Sequence, residues 1–165
     1  MVPPLSTAII RDTAEKVREL VECPEGSFPI MAVIEALASP DGDNPSSIEM
    51  EILPDSSMHD EYATYCPTTN TLCIRESVYN GACAGNGRDR FTLAHELGHI
   101  LLHRRGYSFA RADVEVPAYR DPEWQANTFA SMLLLPRDQI KGMSAEKAAE
   151  VYETSTQAAQ IALKS

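Results

Sequence analysis

Apolar positions along this chain recur with two periods, and the switches between them mark its elements. From Ser6 to Glu22, Ile9, Ile10, Ala14, Val17, Leu20 and Val21 return every three or four residues, predicting a helix that Cys23-Pro24-Glu25-Gly26 ends. A shorter helix is predicted from Pro29 to Ala38 on Met31, Val33, Ile34 and Leu37. The run 39–47, Ser-Pro-Asp-Gly-Asp-Asn-Pro-Ser-Ser, reads as a loop. Ile48 to Leu53 alternates apolar with acidic residues, as a half-buried strand does. Tyr62–Cys66 and Thr71–Arg75 are two further strands, joined as a hairpin through Pro-Thr-Thr-Asn. The glycine-rich run 80–90 reads as a loop.

The strongest helical pattern runs from Phe91 to His103, with a wide apolar face through Leu93, Ala94, Leu97, Ile100 and Leu101. Asp121-Pro122-Glu123 opens another helix, with Asp as the cap and Pro in the first turn, and Pro136 closes it. Ser144 caps a helix to about Tyr152, and a break at 154–156 precedes a last helix to Leu163. Helices around a small sheet give an α+β class, with the hairpin packed on the 91–103 helix. Residues 1–140 form the body of the domain, and 141–165 a helix-turn-helix-like extension of it.

Composition narrows the functions. With 165 residues, 44% hydrophobic and 23% charged, the chain suits one globular domain. No apolar run reaches the ~18 residues of a membrane span, and the N-terminus lacks a signal-peptide pattern, so a cytoplasmic protein is expected. The 24 acidic residues against 14 basic ones give a net charge of −10, which argues against direct nucleic-acid or membrane binding. The tail 146–164 holds only Lys147 and Lys164 against three glutamates, so it reads as a packing or partner-recognition element rather than a DNA reader. Cys23, Cys66, Cys73 and Cys83 form no C-x-x-C pair and read as reduced, buried small hydrophobes, with Cys66 and Cys73 close across a turn.

Residues 95–99 read His-Glu-Leu-Gly-His. Histidines at i and i+4 share one helix face, so His95 and His99 can converge on one metal ion. Zinc suits imidazole and, in catalytic sites, takes three protein ligands and a water. Glu96 can reach that water as general base. Gly98 leaves room beside the ligands for a strand or a substrate. Glu123, in the first turn of the second helix, is the best third ligand among the downstream carboxylates. Its spacing equally fits an acid placed there by the helix dipole. Asn127 shares the face of Glu123 and can fix a ligand histidine's tautomer. His103 extends the histidine stripe by a turn, as a supporting group or as a packing histidine. Candidates for an oxyanion donor are His103, Tyr79, Tyr107 and Tyr119, and Trp124 reads as core.

Phe-Thr-Leu-Ala-His-Glu-Leu-Gly-His-Ile-Leu-Leu-His followed by Glu-Trp-Gln-Ala-Asn-Thr-Phe-Ala-Ser-Met-Leu-Leu-Leu-Pro resembles the ImmA/IrrE family of zinc metallopeptidases, in which both blocks occur in this order. The resemblance covers most of residues 5–165. It implies a helical zincin-like domain, one catalytic zinc on His95, His99 and Glu123, Glu96 as catalytic base, and a helix-turn-helix transcriptional repressor as the protein substrate, cleaved to relieve repression in stress response or mobile-element control. The competing reading is a metal-bearing sensor that binds and antagonises a repressor without cutting it. A purely structural zinc site is a third, and the intact Glu96 argues against it.

Overall fold

A computed structural model describes residues 2–38, 47–103 and 117–165. The 39–47 loop lies almost wholly outside them, as does Tyr107.

The elements in chain order are α1 (Thr7–Leu20), α2 (Ile30–Leu37), β1 (Glu49–Leu53), β2 (Ala63–Cys66), β3 (Thr71–Arg75), α3 (Glu76–Cys83), α4 (Gly87–His103), α5 (Pro122–Leu134), α6 (Arg137–Ile140), α7 (Ala145–Tyr152) and α8 (Thr156–Lys164). The class is α+β. Ser6, Asp121, Ser144 and Ser155 each accept a hydrogen bond from a backbone N–H of the helix they cap, as short polar side chains do at helix starts.

The glycine-rich run 80–90 is not a loop. Most of it is helical, divided between the end of α3 and the start of α4. Val78 and Ala82 bury one face of α3, a stripe the glycines conceal. A Cβ on Gly81 would meet the Asp89 carboxyl group, the end of a side chain that can turn aside. Gly85, at φ +85°, makes the turn between the two helices in a conformation that β-carbons disfavour. Asn86 caps α4 by accepting from the N–H groups of Arg88 and Asp89.

The sheet has the order β1-β3-β2. β2 and β3 form the expected antiparallel hairpin, with Asn70 at φ +56° closing its turn. β1 pairs parallel to β3, Glu49 opposite Thr71. One face buries Tyr65, Leu72 and Ile74 in the core, and the other carries Glu51, Thr64 and Cys73 in one row across the strands. Ile52 shares the inner face yet stays 43% exposed because β1 is an edge.

The principal core joins Ile10 and Ala14 of α1, Ile30 and Ile34 of α2, the sheet's inner face, Leu93, Leu97 and Ile100 of α4, and Phe129 and Leu133 of α5. A second cluster joins Leu135, Ile140, Ala148, Tyr152, Ala159 and Ala162 under the last three helices. Arg90, buried at the start of α4, ties the two regions: it donates to the carbonyls of Phe28 and Glu153 and to the Ser27 hydroxyl. The thiols depart from expectation. Cys66 and Cys83 are exposed, and Cys23 and Cys73 only half-buried. Strand alternation turns Cys66 and Cys73 to the outer sheet face.

Candidate metal centre

α4 and α5 lie side by side with sequence running in opposite senses, His95 meeting Asn127 and His99 meeting Glu123. Gly98 makes this approach possible. A Cβ there would stand 3.1 Å from Ala126 Cα and 3.2 Å from the Ala126 carbonyl oxygen. The space beside Gly98 is therefore filled by α5, not kept for a strand or substrate, and Ala126 is small for the same reason.

Close packing brings His95, His99 and Glu123 together. Their donor atoms lie within 4.8 Å of one another, the one such cluster among the described residues. The two Nε2 atoms are 2.9 Å apart, and the Glu123 carboxylate oxygens lie 3.2 Å from His95 and 3.3 Å from His99. Ligands at about 2.0–2.1 Å in a tetrahedron stand about 3.3 Å apart, so the spacing suits a small cation.

The surrounding hydrogen bonds fix which nitrogens face inward. Gln125 donates through Nε2 to the carbonyls of Pro3 and Tyr119, which turns its Oε1 to His103 Nε2 at 2.8 Å. An amide oxygen only accepts, so His103 carries its proton on Nε2 and offers a bare Nδ1. His99 Nδ1, 3.0 Å away, must then be the donor, leaving the His99 Nε2 lone pair facing inward. The Asn127 Oδ1 contact to His95 Nδ1, at 2.9 Å, does the same for His95 when the oxygen is the partner. Two imidazole lone pairs and a carboxylate thus point at one spot, an arrangement that repels itself until a cation occupies it. The donor set fits zinc.

The centre attracts positive charge: a proton on the Nε2 of His95 or His99, donated to Glu123 in place of a metal cation, holds the Glu123 carboxyl well below the ordinary carboxylate range. Burial pulls the His95 imidazole down, but Glu123, Glu96 and Asn127 together outweigh it and its affinity for a proton ends above the ordinary value. Burial lowers His103, so that ring stays neutral as the relay requires.

Glu96 is 7% exposed and accepts a 2.8 Å bond from the Tyr65 backbone N–H on β2. Burial raises its carboxyl above the usual range, opposed by His99, His95 and the Tyr65 N–H. A carboxylate whose proton affinity is raised and whose orientation is fixed by a strand is suited to proton transfer.

Of the oxyanion candidates, the structure brings none of those described to the site as a donor. His103 is fully buried behind His99, held between it and Gln125. The Tyr79 hydroxyl is bonded to Glu35 on α2. The Tyr119 ring is exposed, and its carbonyl serves Gln125 and Leu5. Trp124 is not wholly core, since it packs against the core while lining an adjoining groove. Sequence reasoning missed Gln125 and Tyr65. Gln125 had a signal: it stands four residues before Phe129 on the apolar stripe of α5, where a polar group must find partners. Tyr65 acts through its backbone, which leaves no trace in residue type.

The family described as IrrE N-terminal-like domain, Peptidase_M78, matches residues 48–164, from the start of the sheet to the end of α8. No curated protein matches the chain. The match spans well over half of the sequence and includes every residue of the centre, and the chain belongs to that family.

Proposed function

From that family membership, we propose that the chain is a zinc-dependent endopeptidase whose substrate is a helix-turn-helix transcriptional repressor. The observation that carries the hydrolytic reading is Glu96: a buried carboxylate beside the His95–His99–Glu123 cluster, anchored by Tyr65 on β2. A site that only held metal for structure, or only sensed it, has no use for such a group.

His95, His99 and Glu123 would hold the ion, which when bound acidifies a water and polarises the scissile carbonyl. Glu96 takes the water's proton as attack begins and returns it to the departing amine. β2 supports presentation of an extended substrate. Tyr62 accepts from the Arg75 N–H, so by strand alternation residues 63 and 65 turn their peptide groups away from β3, toward the centre. A substrate strand added along this edge would lie across Glu96, whose Tyr65 contact marks the same row.

The net charge of −10 supports a partner with a basic face, such as a DNA-reading surface, through steering. Co-expression with the helix-turn-helix protein encoded beside this chain tests the reading. Cleavage by the wild type and an intact repressor with Glu96→Gln is expected. An intact repressor in both, with stable binding, would favour the non-cleaving alternative.

A further inference from the structure

A groove of about 1090 Å³ begins at Asn127, which touches the ligand His95, and passes between α1, α4, α5 and α8. Its floor is apolar, with Phe91, Trp124 and Ile161, the last 60% exposed. Its charged side chains are of one sign. Arg11, Arg88 and Arg137 face it, and no aspartate or glutamate side chain lines it among the described residues. In a chain with 24 acidic and 14 basic residues, this local reversal is a structural choice.

The arginines are positioned before any ligand arrives. Tyr62, the residue preceding β2, lies between two guanidinium groups, Arg75 at 4.7 Å and Arg88 at 4.9 Å from its ring centre. Arg88 also donates to the Tyr62 hydroxyl at 3.1 Å. Arg137 is held by Ser131 and the Leu135 carbonyl at 3.1 and 3.2 Å. Neither Arg88 nor Arg137 has a carboxylate within ion-pair distance among the described residues. Burial alone lowers the proton affinity of Arg137, the mark of a cation taken partly out of water without a counter-charge. Ordered guanidinium forks with donors to spare are receptors for carboxylates, and the entropy of fixing long side chains is already spent.

We propose that this groove is the substrate-selecting site, taking a segment of the protein substrate in which carboxylate side chains alternate with apolar ones. Acidic side chains sit on Arg88 and Arg137, apolar ones on Phe91, Trp124 and Ile161. The inference rests on the peptidase reading for the word substrate, but not for the binding itself. A repressor fitting both surfaces would pair a basic DNA-reading face with an acidic, apolar segment near its cleavage point.

Trp124 is the chain's one tryptophan and lines the groove, so its fluorescence reports occupancy directly. The zinc-loaded Glu96→Gln protein is titrated with three capped octapeptides alternating leucine with glutamate, glutamine or lysine, and with a 12-mer oligothymidylate. The leucine–glutamate peptide should shift Trp124 emission and bind about fivefold more tightly than its glutamine counterpart, with lysine weakest. Arg88→Glu, at an exposed position, should abolish that preference, and Arg137→Gln should reduce it. Equal binding of glutamate and glutamine peptides, a lysine preference, an unaltered ranking in Arg88→Glu, or tighter binding of the oligonucleotide would each overturn the proposal. Charge-ranked binding together with an intact repressor in the wild-type co-expression would defeat the peptidase reading and leave the groove standing. Cleavage indifferent to acidic flanks would do the reverse.

Discussion

His95, His99 and Glu123 are separated by up to 28 positions in sequence, yet each is aimed by a different neighbour. Glu123 provides the carboxylate of the cluster, and Glu123→Ala should leave a folded protein that loses most of its zinc, read by elemental analysis after gel filtration. Unchanged zinc content would show that another group completes the site. His103 makes no contact with the converging donors, but the Gln125–His103–His99 relay sets the tautomer of one ligand. Removing such a partner typically costs about 10–100-fold in metal affinity, so His103→Ala should weaken zinc by that much while Glu96 keeps its place. Protonation of His103 breaks the relay. Its folded proton affinity is below the unfolded value, so its contribution to stability is present above about pH 6.5 and is lost as the pH falls below that. Melting curves of the chelator-treated protein should therefore show wild type losing more stability than His103→Gln between about pH 6.5 and 5. Parallel curves would remove His103 from the account.

At the scale of elements, the α4–α5 contact is what makes a site out of two motifs. Gly98→Ala places a methyl group 3.1–3.2 Å from Ala126 and Phe129. Such overpacking costs about 1–3 kcal/mol, and because it pushes Glu123 away from the histidines, zinc affinity should fall with thermal stability. A variant as stable as wild type with full zinc would mean the helices have slack that this packing denies. The first turn of α5 is held by Asp121, which accepts from the Glu123 N–H at 3.0 Å. Histidine spacing and the Asp-Pro-Glu helix start were legible in the sequence because they are local. Periodicity places side chains on a helix face, and capping chemistry fixes where a helix begins. The parallel pairing of β1 with β3 was not legible, because register across 22 residues depends on tertiary packing. Nor was α3: glycine content argued for a loop, whereas Val78 and Ala82 bury a helical face there and Gly85 only makes the turn that follows.

At the scale of the whole molecule two charge distributions coexist: the chain is acidic overall, while the groove beside the centre is cationic and apolar. Raising salt should slow association with the proposed repressor if its basic face is what the acidic chain attracts, since exposed charges are screened over about 10 Å at 0.1 M. No helix among the described residues is long and apolar enough to cross a membrane. Of the packing and recognition roles the C-terminal helices offer, the structure shows packing, around Ile140, Ala148, Tyr152 and Ala159, and α8 also lines the groove. The central claim, that Glu96 performs hydrolysis at a zinc held by His95, His99 and Glu123, does not depend on knowing the substrate. It is tested most directly by exposing a peptide library prepared from a whole proteome to zinc-loaded wild type and to Glu96→Gln, and labelling new N-termini for mass spectrometry. The account predicts one zinc per chain in both proteins and new N-termini from the wild type alone, reduced at least about 10²-fold in the variant. Equal cleavage by both proteins, or none by either with zinc in place, would contradict it.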